Sequence, residues 1–254
     1  MINLFNRIYA DYLMPSRLGE YEALLYAANE AGYTQTTVRH FFRGTKSKRV
    51  LIHRHDIDSD LRTARKMFEV ECRLGVRASY YFRLSTLDIG FMREIEAAGS
   101  EASYHYEEVA DFAKRHHLHD PAEVRSHFPA LRDQFALNVA RISNALGRPL
   151  STVASHGDFA NRKLQIINHE LLTDDALRKR CGIECETYDA ALLDQFDIYI
   201  SDRKFPVYYR PISPFEALGQ HKRICLLTHP VQWETNWRDT TRCNLQRISE
   251  GLRW

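Results

Sequence analysis

Cysteine is scarce and follows no pairing pattern. The chain has five, Cys72, Cys181, Cys185, Cys225 and Cys243, an odd number with no CxxC pair. That supports neither a disulfide framework nor a zinc ribbon, and a structural reading is expected for all five. Gly182, between Cys181 and Cys185, marks a helix end rather than a metal knuckle. Long apolar runs are also missing. No stretch reaches the roughly 18 residues of a membrane-spanning helix. Asn, Arg and Asp interrupt the opening stretch from Met1 to Asp11, which does not fit a signal peptide. The expectation is a soluble, cytoplasmic protein with no membrane partner. Neither sign of charge is in excess: Lys plus Arg is 35, Asp plus Glu is 33, and the formal net charge is +2. No global basic field supports a nucleic-acid partner. Internal repeats, linkers and low-complexity segments are absent too.

What is present is an ordinary globular mixture. The 254 residues are 44% hydrophobic and 27% charged, enough apolar side chain for one large core. A single domain is expected over 1–254, with a helical lead-in over 1–48, a core over 49–235 and a C-terminal helix over 236–254. Apolar residues at helical spacing from Leu18 to Ala28 stop at Gly32. A short segment near Thr36 to Phe42 and a basic loop from Arg43 to Arg49 follow. Val50-Leu51-Ile52 opens a buried strand that runs into His53-Arg54-His55-Asp56-Ile57-Asp58. Ser59 or Asp60 can cap the next helix, which ends at Gly75. Further strands are expected at Arg77 to Arg83, Glu101 to His105, Thr152 to Ala154, Ile183 to Thr187, Ile198 to Ile200 and Ile224 to Leu227. Helices lie between them, with starts at Asp120-Pro121 and Phe128-Pro129. Alternating strands and helices mean parallel βα units. The fold class is α/β, and a closed or nearly closed (β/α) barrel is the economical architecture.

In such folds chemistry sits at the carboxyl ends of the strands. Four strand ends carry Asp56 with Asp58, His105, His156 and His229. The chain has 12 histidines, and His is the commonest metal ligand. A carboxylate with imidazoles suits Zn²⁺ and similar ions, with one position left for water. Asp56 and Asp58 are two apart in extended chain and point to the same side. One can bind metal while its neighbour stays free as a base. The competing structural reading makes Asp58 a helix cap and pairs Asp56 with Arg54 or Arg62. His116, His117, His119 and His127 fall in a polar region and read as surface.

The run His53-Arg54-His55-Asp56-Ile57-Asp58 resembles the first motif of the polysaccharide deacetylase superfamily (NodB-like, carbohydrate esterase family 4). It is most similar to divergent members that read RHDxD. GSEASYHYE, from Gly99 to Glu107, resembles the second motif, a strand ending in a metal His. Ile224 to Pro230, ICLLTHP, resembles the last motif, and Tyr199-Ile200-Ser201-Asp202 sits where a fourth motif supplies an Asp. The likeness covers nearly the whole chain. It implies a distorted (β/α)7 barrel of the glycoside hydrolase/deacetylase type and metal-dependent hydrolysis of an N- or O-acetyl group on a carbohydrate or glycan precursor. It also implies a divalent metal, with Zn²⁺ the expected ion. Carried over by position, Asp56 is the general base, Asp58 and His105 are metal ligands, His229 is the acid and Asp202 supports it.

Two positions depart from the family pattern. Where a second ligand His is usual, four residues after His105, this chain has Val109, and the third motif's Arg-Pro pair has no match. His156 is expected as the third ligand from another strand, with Glu107 or Glu108 as alternatives and Glu107 otherwise supporting. Trp233 follows the last motif and is expected to stack on a sugar, or else to cover the core. Two other functions compete. His53-x-His55 also resembles the first motif of amidohydrolase barrels that cleave C–N bonds in small molecules. A glycan-binding relative with a degraded metal site is the non-catalytic alternative.

Overall fold

The computed structural model describes residues 4–254. Its frame is a 9-stranded sheet. The strands are β1 (Thr34–Thr36), β2 (Val50–Ile57), β3 (Ser79–Phe82), β4 (Glu101–Tyr106), β5 (Thr152–Ser155), β6 (Cys185–Glu186), β7 (Ile198–Asp202), β8 (Tyr209–Arg210) and β9 (Arg223–Thr228). Their order is β6-β5-β4-β3-β2-β9-β7-β8, with β1 beside β2. Every pair is parallel except β7 with β8. The sheet curls into half a barrel in a single α/β domain. Among the described residues no pairing joins the edge strands β6 and β8.

The first three residues of β2, Val50 to Ile52, are apolar and buried, as a central parallel strand requires. They pair with β1, whereas Arg54 to Ile57 pair with β3. Along its other edge β2 pairs with β9 from Val50 to His55. The polar second half of β2 is equally buried, so its side chains need internal partners. Alternation sends them to opposite faces. His53 leaves on the convex side, where its Nε2 lies 2.7 Å from Gln35 Oε1. His55 bonds Glu71 there at 2.7 Å and also meets Thr228 Oγ1. Burial, and then the neighbouring His55, push the His53 ring down to about 3, so it is neutral. Arg54 and Asp56 leave on the concave side.

Helices cover the convex face. The helix Leu61–Leu74 starts on the side chain of Asp60, which accepts from Thr63 N, and ends at Gly75 in the left-handed region (φ +67°). Its Met67 and Val70 pack with Tyr21, Leu24 and Leu25 of the helix Leu18–Glu30. A larger cluster builds Tyr80, Phe82, Phe91 and Phe135 into the other half of that layer. Each fully buried Phe or Leu there contributes roughly 1.5–3 kcal/mol of transfer free energy. The concave face holds a smaller cluster: Val50, Ile52, Tyr81, Ala154, Cys185 and Cys225, closed by Val38 and Phe41 of the helix Val38–Phe42. The chain ends in the helix Trp237–Arg253. Among the described residues no helix is long and apolar enough to cross a membrane.

Candidate metal centre

Parallel pairing brings the carboxyl ends of β2, β4, β5 and β9 together. The register His105↔Ala154 between β4 and β5 carries the chain on to His156, whose backbone N–H donates to Tyr106 O at 2.8 Å. Three side chains from three strand ends then converge. Asp58 Oδ1 lies 3.0 Å from His156 Nδ1 and 3.3 Å from His105 Nε2, and the two ring nitrogens are 3.2 Å apart. A tetrahedral ion with bonds of about 2.0–2.1 Å has ligand-to-ligand edges of about 3.3–3.4 Å, so this triangle fits one face of such a shell with small relaxation. His105 Nδ1 sits 2.9 Å from Ala154 O. A carbonyl can only accept, so Nδ1 carries a hydrogen, and in the neutral ring the lone pair that faces the centre is on Nε2. Asp58 Oδ1 is buried with no aligned donor. A buried, unsatisfied carboxylate oxygen facing two imidazoles suits a cation, and the donor set of one oxygen and two nitrogens suits Zn²⁺.

Burial alone would raise the Asp58 carboxyl. The His156 charge, then both rings' contacts and His229, override it and hold the group well below its ordinary value. Asp56 is buried beside this triangle, with Oδ2 3.5 Å from His105 Nε2. Its carboxylate accepts from Arg54 Nε at 2.9 Å and from Arg54 Nη2 at 2.7 Å. Burial works to raise this carboxyl, but the Arg54 charge and then His105 hold it below its ordinary value. Each oxygen keeps a second lone-pair site, so Asp56 can still accept a proton.

His229 stands at the end of β9. Its Nδ1 lies 2.7 Å from Asp202 Oδ1, its backbone N–H donates to Asp202 Oδ2 at 2.7 Å, and Trp233 Nε1 donates to the same oxygen at 3.0 Å. Burial lowers an imidazole. The Asp202 charge and hydrogen bond outweigh that here, Asp58 and Asp56 add to them, and the ring is pushed up to about 9. His229 is therefore an imidazolium at neutral pH in the metal-free protein.

Of the expected site residues, Asp56, Asp58, His105, His156, Asp202 and His229 come together. Glu107 does not face the triangle. It forms a two-pronged pair with Arg83, whose Nε donates to Glu107 Oε1 at 2.8 Å. Glu108 turns toward Tyr104 and Asn138, at 2.8 and 3.0 Å. Neither joins the group of Asp58, His105 and His156 that could hold an ion. The expectation for Trp233 is corrected: its side chain is 0% exposed, packed on Tyr21 at a centroid distance of 5.2 Å, and presents no face for stacking. Its loop folds inward because the indole N–H completes the Asp202 carboxylate. His53 and His55 lie on the other face of β2, so an amidohydrolase-type pair has no counterpart in this centre. The helix cap is Asp60, not Asp58, and Arg62 pairs with Glu234 rather than Asp56. The pairing of Asp56 with Arg54, one of the two partners the structural reading offered, is present as a two-pronged grip, two residues apart on one strand face. The support of Arg54 by Tyr188 and Tyr199 is the part of the site that sequence reasoning misses, because the tyrosines carry no signal in sequence.

A second group, His169, Glu186 and Asp189, is also compact. Asp189 is taken by Arg178 in two bonds of 2.6 and 2.5 Å, and Glu186 by the backbone N–H groups of Ser155 and Tyr188. These carboxylates already serve the loop after β6.

The chain matches no family model, and no curated protein matches it.

Proposed function

We propose that the protein is a metal-dependent hydrolase that removes an acetyl group, N- or O-linked, from a carbohydrate. The observation that carries the reading is the Asp58–His105–His156 triangle, with the Asp56 carboxylate beside it and His229, paired with Asp202, at the end of β9. Held by these three ligands, a divalent ion would supply Lewis acidity, polarising a carbonyl and lowering the pKa of a water. Asp56 accepts the proton of the attacking water as its oxygen bonds to the acetyl carbon. His229 gives its proton to the leaving nitrogen or oxygen as the bond to that carbon breaks, yielding acetate and the free amine or alcohol. Asp202 keeps His229 charged and oriented. The order RHDxD, YHYE and LTHP along the chain, with its likeness to polysaccharide deacetylases, supports the same assignment. The architecture that goes with it is a distorted (β/α)7 barrel left open between β6 and β8. The five free cysteines, with Cys72 exposed, fit a reducing compartment, and we place the protein in the cytoplasm.

Acetate release from a panel of N- and O-acetylated sugars tests the reading. Wild type loaded with Zn²⁺ is expected to turn over at least one of them. Asp56→Asn should keep the fold and lose about 10²–10⁴-fold in kcat, the usual worth of general-base catalysis. Equal turnover by Asp56→Asn and wild type would remove Asp56 from the mechanism.

A further inference from the structure

The two carboxylates of β2 stand almost equally close to the ring they share. Asp56 Oδ2 is 3.5 Å and Asp58 Oδ1 3.3 Å from His105 Nε2. Distance alone does not decide which of them meets a cation. Their other partners differ sharply. Arg54 spans both oxygens of Asp56, at 2.9 and 2.7 Å, whereas Asp58 Oδ1 has no aligned donor. Arg54 itself is fixed. It is 1% exposed, its Nη1 donates to Tyr199 Oη and its Nη2 to Tyr188 Oη, both at 3.2 Å, and its guanidinium centre lies 4.6 Å from the Tyr188 ring centroid. Planar two-pronged pairing of this kind sets geometry as well as charge. A divalent ion approaching Asp56 Oδ2 would meet a carboxylate already neutralised, with a buried positive charge bonded to the same atom. At so short a range in a low-dielectric site that repulsion is strong.

We propose that Arg54 is the selector of this centre: by occupying both oxygens of Asp56 it denies that carboxylate to a divalent cation and leaves Asp58 as the carboxylate ligand. Arg54 is thus a positioning residue, acting through Asp56. Tyr188 and Tyr199 prevent the guanidinium from swinging away. The inference rests on the reading that the Asp58–His105–His156 triangle takes a divalent ion, and its test needs no substrate.

The test is calorimetric titration with Zn²⁺, and visible spectroscopy with Co²⁺, of wild type, Asp58→Ala, Arg54→Ala and the double variant Arg54→Ala/Asp58→Ala. Wild type should bind one ion. Asp58→Ala should weaken binding by more than the roughly 10–100-fold typical of losing a supporting group. With Arg54 also removed, the freed Asp56 should take the vacant place and recover at least about tenfold of that loss, since a first-row ion prefers a carboxylate to none. Millimolar guanidinium added to the double variant should re-pair Asp56 and cancel the recovery. The Co²⁺ bands of Arg54→Ala alone should change as a second carboxylate enters the shell. Removing a buried Arg leaves a buried carboxylate unpaired, so the double variant can fail to fold. Arg54→Lys/Asp58→Ala then serves, because lysine keeps the charge but not the two-pronged grip, and an intermediate recovery is expected. Binding by either double variant no tighter than by Asp58→Ala overturns the inference while leaving the metal reading intact. A wild type that binds no ion overturns both.

Discussion

Glu108 shows what burial does to one side chain that stands next to, but outside, the centre. It is 6% exposed, at the start of the helix Glu108–His116. Burial raises its carboxyl, the hydrogen bonds from Asn138 and Tyr104 only partly oppose that, and the group is pushed up to about 7. Both donors serve Oε1, and Oε2 has no partner. A raised carboxyl holds its proton in the folded state after the unfolded chain has released it. Its contribution is therefore lost as pH climbs from the unfolded value of 4.5 through about 7. Glu108→Gln keeps an acceptor at Oε1 and removes the titration. It should be more stable than wild type at pH 8 by roughly 3 kcal/mol, since a tenfold change in proton affinity is worth about 1.4 kcal/mol, and the gap should narrow toward pH 5. Urea unfolding at the two pH values measures this, and a gap that does not depend on pH would contradict it. In the sequence Glu108 reads as a possible metal ligand. What the sequence lacks is the direction of the side chain, set by Tyr104 on β4 and Asn138 on a helix some 30 residues further on.

At the scale of elements, β2 supplies the largest share of the site, Arg54, Asp56 and, just past its end, Asp58. The alternation of VLIHRHDI is readable: apolar start, then odd and even positions on opposite faces. Which face meets the site is not readable, because it depends on β3 and β9 pairing on either edge of β2. The turn after β2 is legible as a cap and is also a tie between elements. Asp60 has φ +52°, a left-handed backbone that Asp and Asn tolerate better than most residues. Its carboxylate accepts from Thr63 N at 3.2 Å and from Thr63 Oγ1 at 2.6 Å. It also accepts from Asn236 Nδ2 at 2.7 Å, and Asn236 in turn caps the helix Trp237–Arg253. One side chain thus joins the first turns of two helices. Asp60→Ala removes a cap worth about 0.5–2 kcal/mol, together with the local hydrogen bonds that let Asp tolerate the left-handed region better than Ala does. A fall in Tm of about 1–8 °C is expected, with a smaller fall for Asp60→Asn. Equal Tm for wild type and Asp60→Ala would show that neither cap depends on it.

For the whole molecule, short apolar runs announce the inner strands, and Gly and Pro announce the helix ends. The strands Cys185–Glu186 and Tyr209–Arg210 are too short to show a period, and β8 escapes sequence reading for that reason. Whether the sheet closes is a matter of pairing between its two ends, β6 and β8, which no local pattern encodes. The same holds for the meeting of His156 with Asp58. His156 reaches Asp58 only because β5 lies beside β4 in the register His105↔Ala154, a contact between residues about 50 positions apart. The burial of Trp233 follows likewise from Asp202 on β7 needing its indole N–H. The central claim is that this assembly makes one metal centre from Asp58, His105 and His156. Zn²⁺ titration by calorimetry of wild type, His105→Ala and His156→Ala tests it most directly. One ion per chain is expected in wild type, with a loss of affinity greater than about 100-fold in each variant, since each removes a ligand rather than a supporting group. Unchanged affinity in His156→Ala, or no binding by wild type, would contradict it.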